Sequence, residues 1–539
     1  MDRAPAWGSR AAEKFAALGA ALLLVAWCAR EDVQPDLYFH LACGRWILEH
    51  GFPRANVFLD PSLTHPFVDP EWVFQLLVLA LESLGGPRLL GLAKTLAVLA
   101  LVATVARRLH GPARWALVIP FVLLAGPRFV IRPELITYLG VAWHLGWRAP
   151  PRGRALAGAG VAQVVWANAH GFALLGPALC ALRALVAATR GRPWRGWALA
   201  AGVLTGCCAL TPYPLGTLIY LPRVAWDAVG QERLPLAEFA APWSAGASDP
   251  TWLLLLGWTL ASAPLAWIGW RSGRLPLDRA AAALAVGALG FPYARNLPLA
   301  ALALVTLSGP GLERLLARPL GARSRGPLWI ALGLLAFGLA RATVDDRFHA
   351  NPQVDVAPGF GRVDFKAYPE AVAAWREHPL PQPLFNGFSS GHYLIFAGQR
   401  PTLCGNLDLY PRSHYEAYRA LLDGDPRQFG ARLVAAGFRS AFLDPRELSP
   451  LLVEALAQDP AWTLRYVGPK ALVFVRGAGA APAAPDAELV FPDEERRGGL
   501  LRALTLLPRR GLHPRLRLHL ARVLPALGQG ERALQLARG

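Results

Sequence analysis

The chain has 539 residues, of which 54% are hydrophobic and only 17% charged, and its mean hydropathy is +0.31. These values exclude a chain built only of soluble domains and predict a membrane protein with many spans. The 55 basic residues against 37 acidic ones give a formal charge of +18. The arginines lie in short clusters between apolar runs rather than among base-stacking aromatics, so they indicate membrane topology and not nucleic-acid binding.

The first apolar run begins after Arg3, Arg10 and Lys14 and ends near Cys28. No small-residue cleavage site is clearly set out after it, so we predict an uncleaved first span with a cytoplasmic N-terminus. Residues 31–70 then form the first outer loop, which concentrates acidic residues in a chain where charge is scarce.

Helical periodicity runs from Asp36 to Glu49 in this loop, with Asp36 and His40 on one side and leucines on another. This pattern predicts a helix that lies on the membrane surface with its polar side facing a cavity. Asp36 is then a candidate general base that takes a proton from an acceptor hydroxyl, and His40 a candidate acceptor-binding group. Two plainer interpretations stay open, in which Asp36 caps the helix and His40 only forms a hydrogen bond within the loop.

Residues 71–84 form an apolar stretch that contains Glu82 and is short of the roughly 20 residues that a span needs. We therefore predict an interfacial or re-entrant helix there. With that choice, the basic clusters farther along the chain fall on the cytoplasmic side. The predicted spans number about eleven: 15–29, 88–106, 114–127, 134–147, 155–168, 171–189, 196–211, 251–270, 279–293, 296–309 and 327–341.

An odd number of spans places everything after Arg341 outside, and the composition there becomes that of a water-soluble domain. We predict a transmembrane bundle over 1–341, an outer α/β lobe over 342–476, a linker over 477–494 and a tetratricopeptide-like helical tail over 495–539. The pieces predicted within the lobe are strands and turns at 383–398 and 400–410, helix at 412–437, a strand at 439–445, and two strands joined by a Gly-Pro turn at 462–477.

Polar residues collect in turns at the predicted outer ends of spans, where ionisable groups are costly unless they line a site. The arginines among them offer fixed positive charge for a phosphate or pyrophosphate leaving group. The alternative is that these residues only anchor the spans at the lipid headgroups. Beside the candidate catalytic Asp36, the predicted substrate-binding residues are His40, Asp69, Glu71, Arg128, Arg132, Asn168, His170, Tyr213, Arg295 and Asn296.

Metal and redox chemistry are not predicted. Asp60, Asp69 and Glu71 lack the tight D-x-D spacing of a divalent-metal site, so we predict no metal or other cofactor. The six cysteines form no C-x-x-C pair. Only Cys43 and Cys404 fall in predicted outer segments, where a disulfide between them is allowed.

Several motifs follow one another in a fixed order. The first outer loop reads D-L-Y-F-H-L-x-x-G-R-W-I-L-E-H-G-F-P-R-x-N-x-F from Asp36, and D-P-E-W follows, ending at Trp72. The later motifs are Arg132-Pro133-Glu134, Trp166 to Phe172, Thr211 to Gly216, Arg295 to Pro298, Asn386 to Leu394 and Cys404 to Tyr410. By these motifs the chain, up to about residue 445, resembles bacterial membrane proteins of the GT-C glycosyltransferase superfamily, which includes protein O-mannosyltransferases and lipid A aminoarabinose transferases.

The resemblance implies a GT-C-like all-α bundle in the bacterial inner membrane, with the first loop and the C-terminal lobe in the periplasm. It also implies a sugar donor carried on polyprenyl phosphate, no required metal, and Asp36 at the position of the catalytic loop carboxylate. The chain departs from the pattern at Thr211, at His392, which replaces a glycine, and at Cys404-Gly405-Asn406, where related sequences tend to have D-G-R.

The leading hypothesis is a glycosyltransferase that moves a sugar from a polyprenyl-phosphate donor to a glycan, lipid or protein acceptor by an inverting general-base mechanism. The second hypothesis is a non-catalytic membrane scaffold whose outer lobe and helical tail bind a partner. A transporter is disfavoured, because the main ionisable candidates within apolar runs, Glu82 and Lys94, can sit near span ends and no internal repeat is visible.

Overall fold

The computed structural model describes residues 6–230, 241–245, 250–317, 322–345, 358–363, 366–376, 379–444, 447–467 and 470–477. These residues divide into two compact units. The first comprises 6–32, the described part of 70–345, and 358–362; the second comprises 33–69 and the described residues from 363 onward. The predicted helical tail and the predicted linker, apart from Gly477, lie outside the described residues.

The first unit consists of helices joined by turns. Of the helices α1 to α13 given next, α2 belongs to the second unit and the others belong to the first. The series is α1 (Ala6–Cys28), α2 (Asp36–His50), α3 (Trp72–Ala106), α4 (Pro112–Ala125), α5 (Glu134–Gly146), α6 (Gly153–Ala167), α7 (Leu175–Thr189), α8 (Arg195–Cys208), α9 (Pro214–Gly230), α10 (Pro250–Arg271), α11 (Leu277–Gly290), α12 (Leu297–Ala317) and α13 (Ala322–Val344).

The chain is a multi-pass membrane protein. Within the described residues, six helices are long and apolar enough to cross a membrane by length and composition. Each predicted span coincides with a helix, because a run of apolar residues without a polar period is helical and buried or lipid-facing. Several of these helices are short: α5 has 13 residues, about 20 Å of helix against a hydrocarbon core of about 30 Å, so the predicted number of eleven spans stays a prediction.

Two features of the first unit differ from or refine the prediction. Residues 214–230 form α9, which was not predicted because Pro214, Gly216 and Pro222 interrupt the apolar pattern. The predicted break between 71–84 and 88–106 lies inside α3, where Gly86 adopts a φ of +61° directly before Pro87. These two residues kink the helix, since only glycine adopts a positive φ without strain.

Close helix contacts hold the first unit together. α1 lies along α13, where Gly19 approaches the Gly333 backbone so closely that an added Cβ would lie 2.8 Å from the Gly333 carbonyl oxygen. The Phe15 and Phe337 rings stack beside this contact at 5.2 Å. Small residues let two helices pack closely. In a membrane such packing holds helices together, because lipid is as apolar as the side chains and no hydrophobic effect drives the helices into contact. α4 is buried over most of its length and forms the centre of the helical core.

The second unit contains a four-stranded sheet in the order β1-β2-β4-β3. β1 (Leu384–Asn386) runs parallel to β2 (Ser440–Leu443), while β4 (Leu472–Arg476) is antiparallel to both β2 and β3 (Trp462–Val467). All residues of β1 and β2 are buried, as expected for strands covered on both faces. The helices of this unit beyond α2 are α14 (Pro369–Ala373), α15 (Ser390–Phe396), α16 (Arg412–Asp423), α17 (Phe429–Ala435) and α18 (Pro450–Gln458).

The strands at 439–445 and 462–477 were predicted, although the Gly-Pro turn itself lies outside the described residues. The prediction for 383–398 was wrong in part, because only residues 384–386 are strand and α15 follows. Ser390 Oγ donates to the Gly387 carbonyl oxygen at 2.8 Å, which closes the turn that starts this helix. Tyr393, Leu394 and Ile395 favour strands by propensity, but their burial in the unit overrides that preference.

Helix α2 of the first loop belongs to the second unit and packs on α15. Tyr38 meets Tyr393 edge to face at 4.9 Å and joins the same core cluster as Leu394 and Phe442. The predicted helix is present, but the predicted division into a membrane-facing side and a polar side is not. Leu37 and Leu41, which the sequence placed against the membrane, are buried, and so is His40 on the predicted polar side.

Candidate functional site

Three arginines converge on one carboxylate in the first unit. Arg128 Nη2 and Arg295 Nη2 each donate to Glu134 Oε1 at 3.2 Å, and Arg132 Nη1 lies 3.6 Å from the same oxygen. The four side chains are largely shielded from solvent, with exposures between 11% and 26%. We call these four residues the arginine cluster. Three guanidinium groups thus lie close together around one carboxylate, an arrangement of side chains that can also bind an anion.

The cluster is assembled from two separate turns. Arg128 ends the short helix Gly126–Arg128, and Glu134 is the first residue of α5. Arg295 comes from the short helix Ala294–Asn296 that leads into α12. The sequence predicted the three arginines but not Glu134 as their shared partner, because a sequence does not show that distant turns meet.

A buried acid holds the first of these turns in place. The Ile131 backbone N–H donates to Asp32 Oδ2 at 2.7 Å, and Lys94 Nζ lies 3.9 Å from that oxygen. Lys94 also donates to the Arg30 carbonyl oxygen at 3.0 Å. A buried carboxylate is tolerated only with such partners. Asp32 therefore fixes the backbone between Arg128 and Arg132.

A hydrogen-bonded chain fixes the orientation of His170. The Trp166 indole N–H donates to Thr137 Oγ1 at 2.8 Å, which leaves the Thr137 hydroxyl hydrogen to reach His170 Nδ1 at 2.7 Å. The Phe172 backbone N–H also points at Nδ1. Nδ1 is thus an acceptor, and in the neutral ring the proton sits on Nε2, which lies 3.9 Å from Glu71 Oε1. The structure thus brings together two of the predicted binding residues, Glu71 and His170.

Three other predicted binding residues lie in the first unit, and two of them use their side-chain amides there. Asn168 Oδ1 accepts from the Trp72 indole at 2.6 Å, and its Nδ2 donates to the carbonyl oxygens of Val164 and Leu210. Asn296 Nδ2 donates to the Leu289 carbonyl oxygen, and Tyr213 is buried. These contacts give Asn168 and Asn296 structural roles in the turns, whether or not they also bind substrate.

An apolar cavity of about 340 Å³ lies in the first unit among α7, α8 and α9. Leu174 and Pro177 line it from one side, and Ala201, Thr205 and Pro222 from the others. Its lining has little polar surface, so it is suited to a hydrocarbon chain rather than to a sugar.

Asp36, His40 and Asp69 all lie in the second unit. Asp36 is the first residue of α2, and Pro35 occupies the capping position without a side-chain hydrogen bond, so the cap interpretation of Asp36 does not hold. The Asp36 side chain is 30% exposed and its Oδ1 lies 3.3 Å from His392 Nδ1. His40 and Asp69 are buried. The sequence marked His392 only as a departure from a glycine, and the structure places it against Asp36.

Cys404 also lies in this region of the second unit. Burial, with a further contribution from the Asp36 charge, raises the pKa of its thiol to about 12. Cys43 and Cys404 are both buried free thiols, so the disulfide that the sequence allowed is not formed. Among the residues that the structure describes, no group of three or more His, Cys, Asp or Glu side chains is arranged to hold a metal ion.

The helices of the first unit and the α/β lobe of the second form a fold that solved structures of other proteins share. The chain is similar to the oligosaccharyltransferase AglB from Archaeoglobus fulgidus in complex with an inhibitory peptide and a dolichol-phosphate, with 12% identity and a TM-score of 0.56 over 87% of this chain and 75% of that one. It is also similar to ArnT from Cupriavidus metallidurans bound to undecaprenyl phosphate, with 14% identity and a TM-score of 0.51 over 86% of this chain and 98% of that one. No family model and no curated protein sequence matches the chain.

Proposed function

We propose that this protein is an integral-membrane glycosyltransferase that moves a sugar from a polyprenyl-phosphate donor to an acceptor hydroxyl. The observation that carries the proposal is the arginine cluster, in which three guanidinium groups meet at the carboxylate of Glu134. A guanidinium binds two phosphate oxygens at once, so three guanidinium groups close together at low exposure favour a phosphate ligand. The fold adds support, since solved proteins of this fold hold dolichol-phosphate and undecaprenyl phosphate.

The arginines would act on the leaving group. As the bond between the sugar anomeric carbon and the phosphate oxygen breaks, negative charge grows on that oxygen, and Arg128, Arg132 and Arg295 neutralise it. Fixed charges in a poorly solvated place stabilise such developing charge without having to reorganise. The apolar cavity among α7, α8 and α9 would receive isoprene units of the same donor, because its lining is apolar.

Asp36 would act as the general base. The acceptor hydroxyl oxygen attacks the anomeric carbon from the face opposite the phosphate, and its proton passes to the Asp36 carboxylate. A new glycosidic bond forms with inversion, and polyprenyl phosphate leaves with the bonding electrons. We further propose that Glu71 and His170 orient a substrate hydroxyl, and that His40, Asp69, Asn168, Tyr213 and Asn296 bind substrate.

The proposed setting is the bacterial inner membrane with the reaction on the periplasmic face. The positive-inside distribution of arginine supports it, because the arginine-rich turns would then face the cytoplasm and the outer turns the periplasm. No metal is required by this mechanism, since the arginines supply the positive charge that a cation would otherwise give.

The test is turnover by the purified full chain in liposomes. A panel of polyprenyl-phosphate sugars is supplied with cell-envelope acceptors, and the released polyprenyl phosphate is measured by mass spectrometry. We expect release with the natural donor, and a loss of roughly a hundredfold or more for Asp36→Asn, since general-base catalysis contributes at least that much. Glu49→Gln on the same helix, with a side chain 68% exposed, is the matched control and should retain activity.

Two results would contradict the proposal. If the Asp36→Asn variant released polyprenyl phosphate at the wild-type rate, Asp36 would not be the general base. If folded wild-type protein released no polyprenyl phosphate from any donor while a partner protein bound the second unit, the scaffold hypothesis would be favoured instead.

A further inference from the structure

Two arginines meet at the C-terminal end of α5, about 20 Å along the helix from Glu134 at its first residue. Arg279 Nε donates to the Leu145 carbonyl oxygen at 3.1 Å. The Arg108 guanidinium lies against Gly146, where an added Cβ would collide with its Cζ and Nη2 atoms. Both arginines are only partly exposed. We call these two arginines the basic site.

The acids near the basic site are engaged elsewhere. Asp278 and Glu313 lie close enough for their charges to act on Arg279. Asp278 Oδ2, however, accepts from Arg183 Nε at 2.8 Å. Glu313 Oε1 accepts from the His110 backbone N–H at 2.8 Å. Within the described part of the chain, neither guanidinium of the basic site forms an ion pair with a carboxylate, and their terminal nitrogens form no hydrogen bond, so these N–H groups are open to an anion.

The two guanidinium groups of the basic site are close enough for their like charges to repel. Burial, and after it the Arg279 charge, lowers the pKa of the Arg108 guanidinium to about 10. Arg108 still carries its charge at neutral pH, because this pKa lies well above 7. Like charges that are partly withdrawn from water disfavour each other more than they do in water. An anion held between the two side chains would relieve this repulsion.

Tryptophans indicate that this end of α5 lies at the boundary between membrane and water. Trp143, in the last turns of α5, is 38% exposed, and its ring meets Trp147 edge to face at 5.1 Å. Trp147 in turn stacks with Trp197 at 6.4 Å. Trp194, directly before α8, is also exposed. Tryptophan is enriched at the depth of the lipid headgroups, so we expect the basic site at the depth of lipid phosphate groups.

We propose that the basic site binds the phosphate group of an anionic phospholipid from the leaflet at this end of α5. The terminal nitrogens of Arg108 and Arg279 would donate to its phosphate oxygens, because a guanidinium forks onto phosphate. Basic pockets between membrane helices recognise anionic headgroups in this way. The role does not depend on the proposed reaction, since this phosphate lies at the opposite end of α5 from the arginine cluster and takes no part in chemistry.

The first test counts lipids bound to the purified full chain. The protein in detergent is titrated with phosphatidylglycerol or with phosphatidylcholine, and bound lipids are counted by native mass spectrometry. We expect wild type to prefer phosphatidylglycerol. Arg108→Gln/Arg279→Gln should retain one molecule fewer at the same lipid concentration, because affinity at the basic site falls roughly thirtyfold, about fivefold for each guanidinium. Equal binding of the two lipids by wild type would overturn the inference.

A matched control separates a defined site from diffuse attraction to positive charge. Arg271 and Arg274 are exposed and lie in the turn before α11, which carries Arg279. Arg271→Gln/Arg274→Gln removes the same charge as the first double variant, so it should keep the phosphatidylglycerol that the first variant loses. Equal loss of lipid from both double variants would contradict a site built by Arg108 and Arg279.

The second test changes the shape of the site and keeps its charge. Gly146→Ala adds a Cβ that must displace the Arg108 guanidinium, while alanine favours the helix. Phosphatidylglycerol affinity should fall roughly fivefold, with no further loss when the alanine is added to Arg108→Gln. Wild-type affinity in Gly146→Ala, or additive losses in the double variant, would show that the proposed geometry is wrong.

Two further outcomes decide what the arginines are for. They could serve only the negative end of the α5 dipole. Arg108→Gln would then lower the thermal stability of lipid-free protein and leave lipid retention unchanged, which would overturn the inference. The source of the phosphate is tested by adding glycerol phosphate to the lipid-bound protein. Wild type should keep its phosphatidylglycerol, whereas displacement at equal concentration would assign the site to a free phosphate and not to a lipid.

Discussion

The arginine cluster and the Asp36–His392 pair show two different ways of preparing a side chain for chemistry. In the cluster, three long cationic side chains from two turns meet at one carboxylate, so the fold concentrates positive charge in one place. In the pair, one short acidic side chain lies beside one buried ring, so the fold sets the place of the carboxylate. If the cluster acts through its charge, it should tolerate a substitution that changes the shape of a side chain but keeps its charge. If Asp36 acts through its orientation, it should not tolerate a longer side chain of the same charge. The substitutions below test that difference.

The largest effect is expected at Glu134, the shared counter-ion of the cluster. Glu134→Gln removes the carboxylate at which three guanidinium groups of low exposure meet. Removing one member of a buried ion pair costs about 3 kcal/mol, and we expect a loss of that size in the free energy of unfolding. Thermal unfolding in detergent, with Glu313→Gln as a control at the Glu313–His110 pair, measures it. A variant as stable as wild type would show that the cluster is not held by charge balance.

The next effect concerns the length of the base. Asp36→Glu keeps the charge but moves the carboxylate by one methylene, away from its place beside His392. We expect kcat to fall roughly a hundredfold with KM for the donor unchanged. Steady-state release of polyprenyl phosphate checks this. If the Asp36→Glu variant has the same kcat as wild type, the charge at position 36 matters and the exact position of the carboxylate does not.

A smaller effect, on KM for the donor, is expected when one arginine of the cluster is replaced. Arg295, the most exposed of its arginines at 26%, is suited to the comparison. Arg295→Gln should raise KM for the donor about tenfold, the loss of one charged phosphate contact, while Arg295→Lys should recover most of that affinity. Equal KM values for the glutamine and lysine variants would mean that the shape of the guanidinium matters more than its charge.

The smallest effect is expected at Thr137, which touches neither pair nor cluster directly. Thr137→Val keeps the volume but removes the hydroxyl that accepts from Trp166 and reaches His170. Loss of a buried hydrogen bond costs about 1 kcal/mol. Denaturant or thermal unfolding should show this loss, with donor release only modestly slower. A large drop in turnover at unchanged stability would instead assign His170 to the chemistry.

The sequence predicted those parts of the fold that depend on local composition. The apolar runs became helices, and the helix from Asp36 was found within a residue of its predicted end. Helix α9 was missed because its two prolines break the apolar pattern, although proline is tolerated within helices of this kind. Residues 383–398 were predicted as strand and turn pieces, but tertiary packing places α15 in their second half.

The candidate site was predictable as a set of residues but not as an arrangement. Arg128, Arg132 and Arg295 are visible as charges between apolar runs, yet their common partner Glu134 requires the fold. The same holds for His392, since a sequence shows that it replaces glycine but not that it meets Asp36. Contacts between residues hundreds of positions apart depend on chain topology, which local patterns do not encode.

Binding of undecaprenyl phosphate is the most direct test of the central claim, that the arginine cluster is a lipid-phosphate site. The affinity of the purified full chain is measured by equilibrium binding, beside an Arg128→Gln/Arg295→Gln double variant and an Arg271→Gln/Arg274→Gln control at two exposed arginines. We expect saturable binding by wild type and by the control, and an affinity roughly a hundredfold weaker in the cluster variant, about tenfold for each lost contact. Equal binding by the cluster variant and wild type would contradict the account.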